Sequence, residues 1–203
     1  MIIFSFDYLY FCDSEIPTTP WNLDDYAKWL FDLLNKKQYD VILGYSFGAA
    51  VITHCMFLYK DKILHLPKIV LVSPAITRQY QHATGIISWM SKTFIGTFPG
   101  IVRWARDLYL LRVVKNPFYR EGGFFQRETY RRIVGVDLSS ELDQLLLAHM
   151  PMRLIFGSKD TATPPSVLLE KIPAAQSVMT IIQNGGHDIA NSHTSEVVAV
   201  INQ

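Results

Sequence analysis

Apolar positions along this chain fall into two alternating patterns. Between Asn22 and about Lys37, Tyr26, Trp29, Leu30, Leu33 and Leu34 recur at helical spacing. Asn22 is a suitable N-cap, and Asp24 and Asp25 favour a helix start through the helix dipole. Short apolar runs follow at Val41–Leu43, Lys68–Ser73, Arg153–Phe156 and Val178–Ile182. They are continuously apolar rather than alternating, as strands buried on both faces of a parallel sheet should be. Ile2–Phe6 has the same character, and Asp7–Pro20 is a loop rich in turn formers. Ala49–Tyr59 and Ser195–Ile201 complete the set as helices. Alternating strands and helices predict an α/β chain with a doubly wound, mainly parallel sheet.

One stretch breaks this alternation. Ile76–Met150 has helical apolar spacing, many aromatics and breaks at Pro99-Gly100, Pro117 and Gly122-Gly123. It reads as a helical unit inserted between two strands. It holds ten Lys and Arg against six Asp and Glu, which suits either a solvated helical surface or a basic rim that draws anionic substrates or lipid.

Composition narrows the class. With 203 residues, 49% hydrophobic and 18% charged, the chain can bury one sizeable α/β core. A formal net charge of +1 gives no general attraction to nucleic acid. Cys12 and Cys55 set no disulfide framework and fit thiols in a reducing cytoplasm. The start, Met-Ile-Ile-Phe-Ser-Phe-Asp, lacks the pattern of a signal peptide. Val41–Tyr59 contains no Asp, Glu, Lys or Arg, but a turn and His54 interrupt it, so it reads as a buried strand and a buried helix rather than a membrane span.

That turn is the chemical signal. In Gly44-Tyr-Ser-Phe-Gly48 an apolar strand runs into a small-residue helix with one hydroxyl, Ser46, between them. This is the Gly-x-Ser-x-Gly elbow, whose tightness demands small residues two before and two after the serine. A serine hydroxyl is a weak nucleophile and needs a base held by a carboxylate. Catalytic groups of parallel sheets sit after the C-terminal ends of strands. Two later strands are followed there by Gly157-Ser-Lys-Asp160 and Asn184-Gly-Gly-His187. His187 is the expected general base and Asp160 its orienting acid; Asp188 ranks second, and a turn-forming role is the plain alternative for Asp160. The Phe47 backbone N–H is the expected oxyanion donor. His54, His65, His82, His149 and His193 are weaker base candidates by position. Neither zinc-type spacing nor a phosphate loop appears, so no metal or cofactor is expected.

The order Ser46, Asp160, His187, together with Asp7…Asp13-Ser14-Glu15 and Pro20-Trp-Asn-Leu-Asp-Asp-Tyr26, resembles the α/β-hydrolase superfamily, in its cap-bearing esterase and carbon–carbon hydrolase branch. The resemblance implies core segments at residues 1–75 and 152–203, and a helical cap at 76–151. In that cap Trp89, Phe94, Phe98 and Trp104 would line an acyl pocket or, more plainly, pack as the cap's own core. It implies a cytoplasmic serine hydrolase of a small carboxylic ester or related acyl substrate. Epoxide and haloalkane hydrolases are disfavoured, because those relatives carry aspartate at the nucleophile position. Such proteins usually have three strands before the one resembling Ile2–Phe6, and a His-Gly loop among them gives a second oxyanion donor. Neither is found before Ile2. The chain is therefore expected to be an N-terminally truncated product, a product needing another segment, or a degenerate member. The alternative function is a non-catalytic ligand-binding or interaction protein.

Overall fold

The computed structural model describes residues 19–77, 123–133 and 135–202. The first helix, α1 (Leu23–Lys36), begins where the pattern placed it. The Asn22 side chain accepts from the Asp25 N–H at 3.0 Å, and the Asp25 carboxylate accepts from the Asn22 N–H at 2.8 Å. This reciprocal box satisfies two main-chain donors that a helix start otherwise leaves open. Tyr26, Leu30 and Leu34 of the apolar stripe are buried, while Trp29 and Leu33 pack at its margin.

Strands β1 (Val41–Tyr45), β2 (Lys68–Val72), β3 (Met152–Gly157) and β4 (Met179–Ile182) form a parallel sheet in the order β1-β2-β3-β4. Between β1 and β2 runs α2 (Phe47–Tyr59), and between β2 and β3 the described helices are α3 (Phe124–Ile133) and α4 (Ser139–Leu147). The short α5 (Pro165–Lys171) and a 3-10 turn, Pro173–Val178, join β3 to β4. Buried residues of α1, α2, α4 and α5 share one core with Ile69, Leu71, Leu154 and Phe156 of the sheet. Right-handed crossovers that all use the same face must lay successive strands side by side, which gives the sequential order.

The opposite face is covered by α6 (Ile189–Ser192) and α7 (Thr194–Ile201), through Ile189, Val197 and Val200 against Val70, Val72, Ile155 and Ile182. The centre of the sheet is thus buried from both sides, and this explains the unbroken apolar runs of β2 and β3. Leu43 of β1 pairs in register with Val70, yet it is 45% exposed.

The stretch set apart by sequence at 76–151 is only partly within the described residues. Its first residue meets a point well inside it: the Leu138 N–H donates to the Ile76 carbonyl at 2.9 Å. Beyond that junction, Leu138, Leu142, Leu145 and Met150 lie in the main core, so α4 packs with the sheet layers as the crossover helix into β3. Helix α3 docks on the segment before α1, where the Trp21 N–H donates to Thr129 Oγ1 at 3.0 Å and Arg132 to the Pro20 carbonyl at 2.8 Å. The expected strand Ile2–Phe6, Cys12, His82 and the four aromatics Trp89, Phe94, Phe98 and Trp104 lie outside the described residues.

Candidate active site

The elbow is tighter than the apolar pattern predicts. Strand β1 runs on through Tyr45 and α2 starts at Phe47, leaving Ser46 as the single residue between them. Its backbone, φ 50° and ψ −109°, is a conformation that side-chain-bearing residues rarely adopt. The end of β2 and the residues after it hold it there. The Ser46 N–H donates to the Val72 carbonyl at 2.9 Å, and the Ala75 N–H donates to the Ser46 carbonyl at 3.1 Å. Gly44 makes the turn sterically possible, because a Cβ at this position would stand 2.6 Å from the Ala49 nitrogen in the first turn of α2.

Asp160 lies in the turn after β3. Its carboxylate is saturated with donors. One oxygen accepts the main-chain N–H groups of Ala162 and Thr163 at 2.9 and 2.8 Å. The other accepts the Thr163 hydroxyl at 2.8 Å and His187 Nδ1 at 2.9 Å. Burial alone would raise this carboxyl's pKa. The hydrogen bonds from Thr163 and His187 outweigh it and hold the group ionised below its ordinary range.

His187 follows β4, and its loop is seated directly on the end of β3. A Cβ on Gly157 would collide with the carbonyl oxygens of Gly185 and Gly186. The Lys159 N–H reaches the Gly185 carbonyl at 2.8 Å, and the Ser158 hydroxyl accepts from the Asn184 N–H at 2.9 Å. The two loops therefore interlock, and His187 Nε2 comes to 3.0 Å from Ser46 Oγ. With Nδ1 carrying the proton given to Asp160, Nε2 is the basic nitrogen facing the serine hydroxyl.

Ser46, His187 and Asp160 are thus joined by two consecutive hydrogen bonds, one of them between residues 141 apart in the chain. Asp188 is not part of this relay. It stands at the start of α6 and receives hydrogen bonds from Ser192. Phe47 opens α2 beside Ser46, so its N–H belongs to the helix's first turn.

Two contributors escaped the sequence reading. Thr163 fastens Asp160, and the Asp-x-x-Thr spacing ahead of Pro164 is the turn signal that points to it. The Tyr45 hydroxyl donates to the His187 carbonyl at 3.0 Å, and its ring stands beside the imidazole at 5.4 Å between centroids. Partial burial, with Asp160 and Asp188 nearby, raises the Tyr45 pKa and keeps the phenol protonated as a donor. Nothing in the bare sequence marks this role.

The other described histidines lie elsewhere. His54 is 9% exposed and bridges Asp24 of α1 and Glu141 of α4, at 2.6 and 2.9 Å. His193 contacts the Ser192 hydroxyl, while His65 and His149 are exposed. Cys55 is a buried free thiol, pushed up to about 12 by desolvation. Among the described residues no cluster of His, Cys, Asp and Glu could hold a metal ion, and no helix is long and apolar enough to cross a membrane.

Comparison with known proteins agrees with this architecture. Among solved structures, the chain is similar to N-formylmaleamic acid deformylase from Pseudomonas putida, at 17% identity and a TM-score of 0.62, covering 97% of this chain and 79% of the other. It is also similar to a meta-cleavage product hydrolase from Pseudomonas fluorescens, at 16% identity and a TM-score of 0.56, covering 97% and 78%. A thermophilic esterase from Thermogutta terrifontis matches at 16% identity and a TM-score of 0.57, covering 97% and 76%. At these identities the likeness establishes the fold. No curated protein sequence matches significantly. The model of the alpha/beta hydrolase family matches residues 3–200, and the chain belongs to that family.

Proposed function

We propose that this protein is a serine hydrolase that cleaves a carboxylic ester or related small acyl substrate. The observation that carries the reading is the continuous relay from Ser46 Oγ to His187 to a fully ionised Asp160, with the serine displayed on a strained elbow. In this reading Ser46 Oγ attacks the acyl carbon while His187 Nε2 takes its proton. Asp160 holds the imidazole tautomer and stabilises the imidazolium. The oxyanion of the tetrahedral intermediate is received by the Phe47 N–H. The bond to the leaving group then breaks, and His187 returns the proton to the departing alkoxide. Water, deprotonated by His187, hydrolyses the acyl-enzyme and restores Ser46. Every proton transfer is supplied by these side chains, so the cycle needs no metal or cofactor.

Carbon–carbon bond hydrolysis draws on the same three groups, with a carbanion as the leaving group. The segment between Ile76 and Leu138 enters and leaves the core at one point, and this supports reading it as the cap over the site. A fluorophosphonate probe tests the proposal. Folded wild type should be labelled at Ser46, and Ser46→Ala should abolish labelling and lower ester turnover by roughly 10⁴–10⁶-fold. A folded sample that takes no Ser46-dependent label would favour a ligand-binding relative that kept the site's shape without its chemistry.

A further inference from the structure

The end of the sheet opposite Ser46 carries a surface that the proposed reaction does not use. After α2, a 3-10 turn spans Lys60–Lys62 and the chain reaches β2 at Lys68. In this loop Leu64 is 76% exposed and Leu66 48%, and Leu58 just before it is 39% exposed. Ile63 and Pro67 are buried and anchor the loop, leaving Leu64 and Leu66 turned to solvent. Hydrogen bonds hold that arrangement. The Leu64 N–H donates to Asn35 Oδ1 at 3.2 Å, which seats the loop on the end of α1, and the Lys68 N–H donates to the Asp40 carbonyl at 2.9 Å.

Lysines flank these leucines along the chain. Between Asn35 and Lys68 the chain has five lysines, Lys36, Lys37, Lys60, Lys62 and Lys68, against two acids, Asp40 and Asp61. Lys68 is occupied by the Ile201 carbonyl, and Lys60 pairs with the exposed Asp61 carboxylate at 3.0 Å, a surface ion pair of little strength. Lys36, Lys37 and Lys62 are exposed. Single exposed leucines are ordinary, but Leu64 and Leu66 are both turned to solvent in one short loop, with Leu58 exposed near the end of the helix that leads into it. The neighbouring lysines decide the kind of partner. Lysine is depleted from the cores of protein–protein interfaces, whereas leucine flanked by lysine is the composition of segments that lie on anionic bilayers.

We propose that Leu58–Lys68, with Lys36 and Lys37, docks the protein on an anionic lipid surface. Leu64 and Leu66 enter the headgroup–acyl boundary, and Lys36, Lys37, Lys60 and Lys62 meet lipid phosphates. Because Ser46 lies at the C-terminal end of β1 and this loop at the N-terminal end of β2, docking would turn the site away from the bilayer, toward water-borne substrates. The inference stands apart from the hydrolase reading.

Flotation of the full chain with phosphatidylcholine vesicles, with and without phosphatidylserine, tests it at low and high salt. Binding is expected on the phosphatidylserine vesicles, weaker on phosphatidylcholine alone, and reduced by salt. Lys60→Gln with Lys62→Gln should lower partitioning roughly 25-fold. Leu64→Ser with Leu66→Ser should also release the protein, while circular dichroism and Ser46 labelling stay at the level of the parent chain. Three results would overturn the proposal: no binding of folded wild type to the anionic vesicles, binding that neither double variant weakens, or self-association without lipid that the leucine pair alone abolishes. The last would make the surface a contact between copies of this chain.

Discussion

At the residue scale, the proposed chemistry depends on how tightly a few groups are held. The Asp160 carboxylate accepts four donors, and two of them come from main-chain N–H groups of its own turn. Asp160→Asn would preserve the volume but disturb the His187 tautomer, and turnover of a chromogenic ester should fall by about 10³–10⁴-fold with the fold retained. Thr163→Val removes one donor to the ionised carboxylate, so the Asp160 pKa should rise. The linked stability has a definite sign. A carboxyl whose pKa is depressed on folding stabilises the native state above its unfolded value, and that contribution is lost as pH falls through the folded one. Acid titration of melting temperature, below about pH 4, should therefore show a smaller fall for Thr163→Val than for wild type. Gly44→Ala brings a methyl group against the main chain of α2, which no side-chain rotation relieves, and should cost about 3 kcal/mol in denaturant unfolding.

At the element scale, helices α1, α2 and α4 are tied together by one histidine. Burial works to lower the His54 pKa, but hydrogen bonds to Glu141 and Asp24 outweigh it and raise it. A raised histidine stabilises the fold fully below its unfolded value, and the contribution fades as pH rises through the folded one. The melting temperature of wild type should exceed that of His54→Gln near pH 6, by roughly 2–4 °C for each kcal/mol of difference, and the gap should narrow in alkaline buffer. This pairing was not legible in the sequence, since Asp24, His54 and Glu141 stand in separate elements and only packing brings them together. The elements themselves were legible, because helical spacing and unbroken apolar runs directly reflect burial on one face or two. The junction at Ser46 was read too loosely. Gly44 and Gly48 resemble turn residues by composition, but they lie inside the strand and the helix, and the bare Gly44 lets the two approach.

At the scale of the whole molecule, one parallel sheet buried between two helical layers carries the stability and brings the site together. Leu154 is fully buried among residues from several helices and strands, and Leu154→Ala should cost about 2–5 kcal/mol and lower the single unfolding transition as a whole. The elbow motif and the chain order of Ser46, Asp160 and His187 could be read from local letters, because each sits after an apolar strand and parallel strands all present their C-terminal ends at the same edge. The local sequence by itself therefore determined the described elements, the sheet type and the places of Ser46, Asp160 and His187 after apolar strands. Only tertiary structure decided what joins them. The close approach of the Gly185–Gly186 backbone to Gly157 places the imidazole, Thr163 and Tyr45 fasten its neighbours, and α4 packs with the core instead of apart from it. Those relations are distances between segments far apart in the chain, and no local pattern of hydrophobic and polar residues encodes a distance.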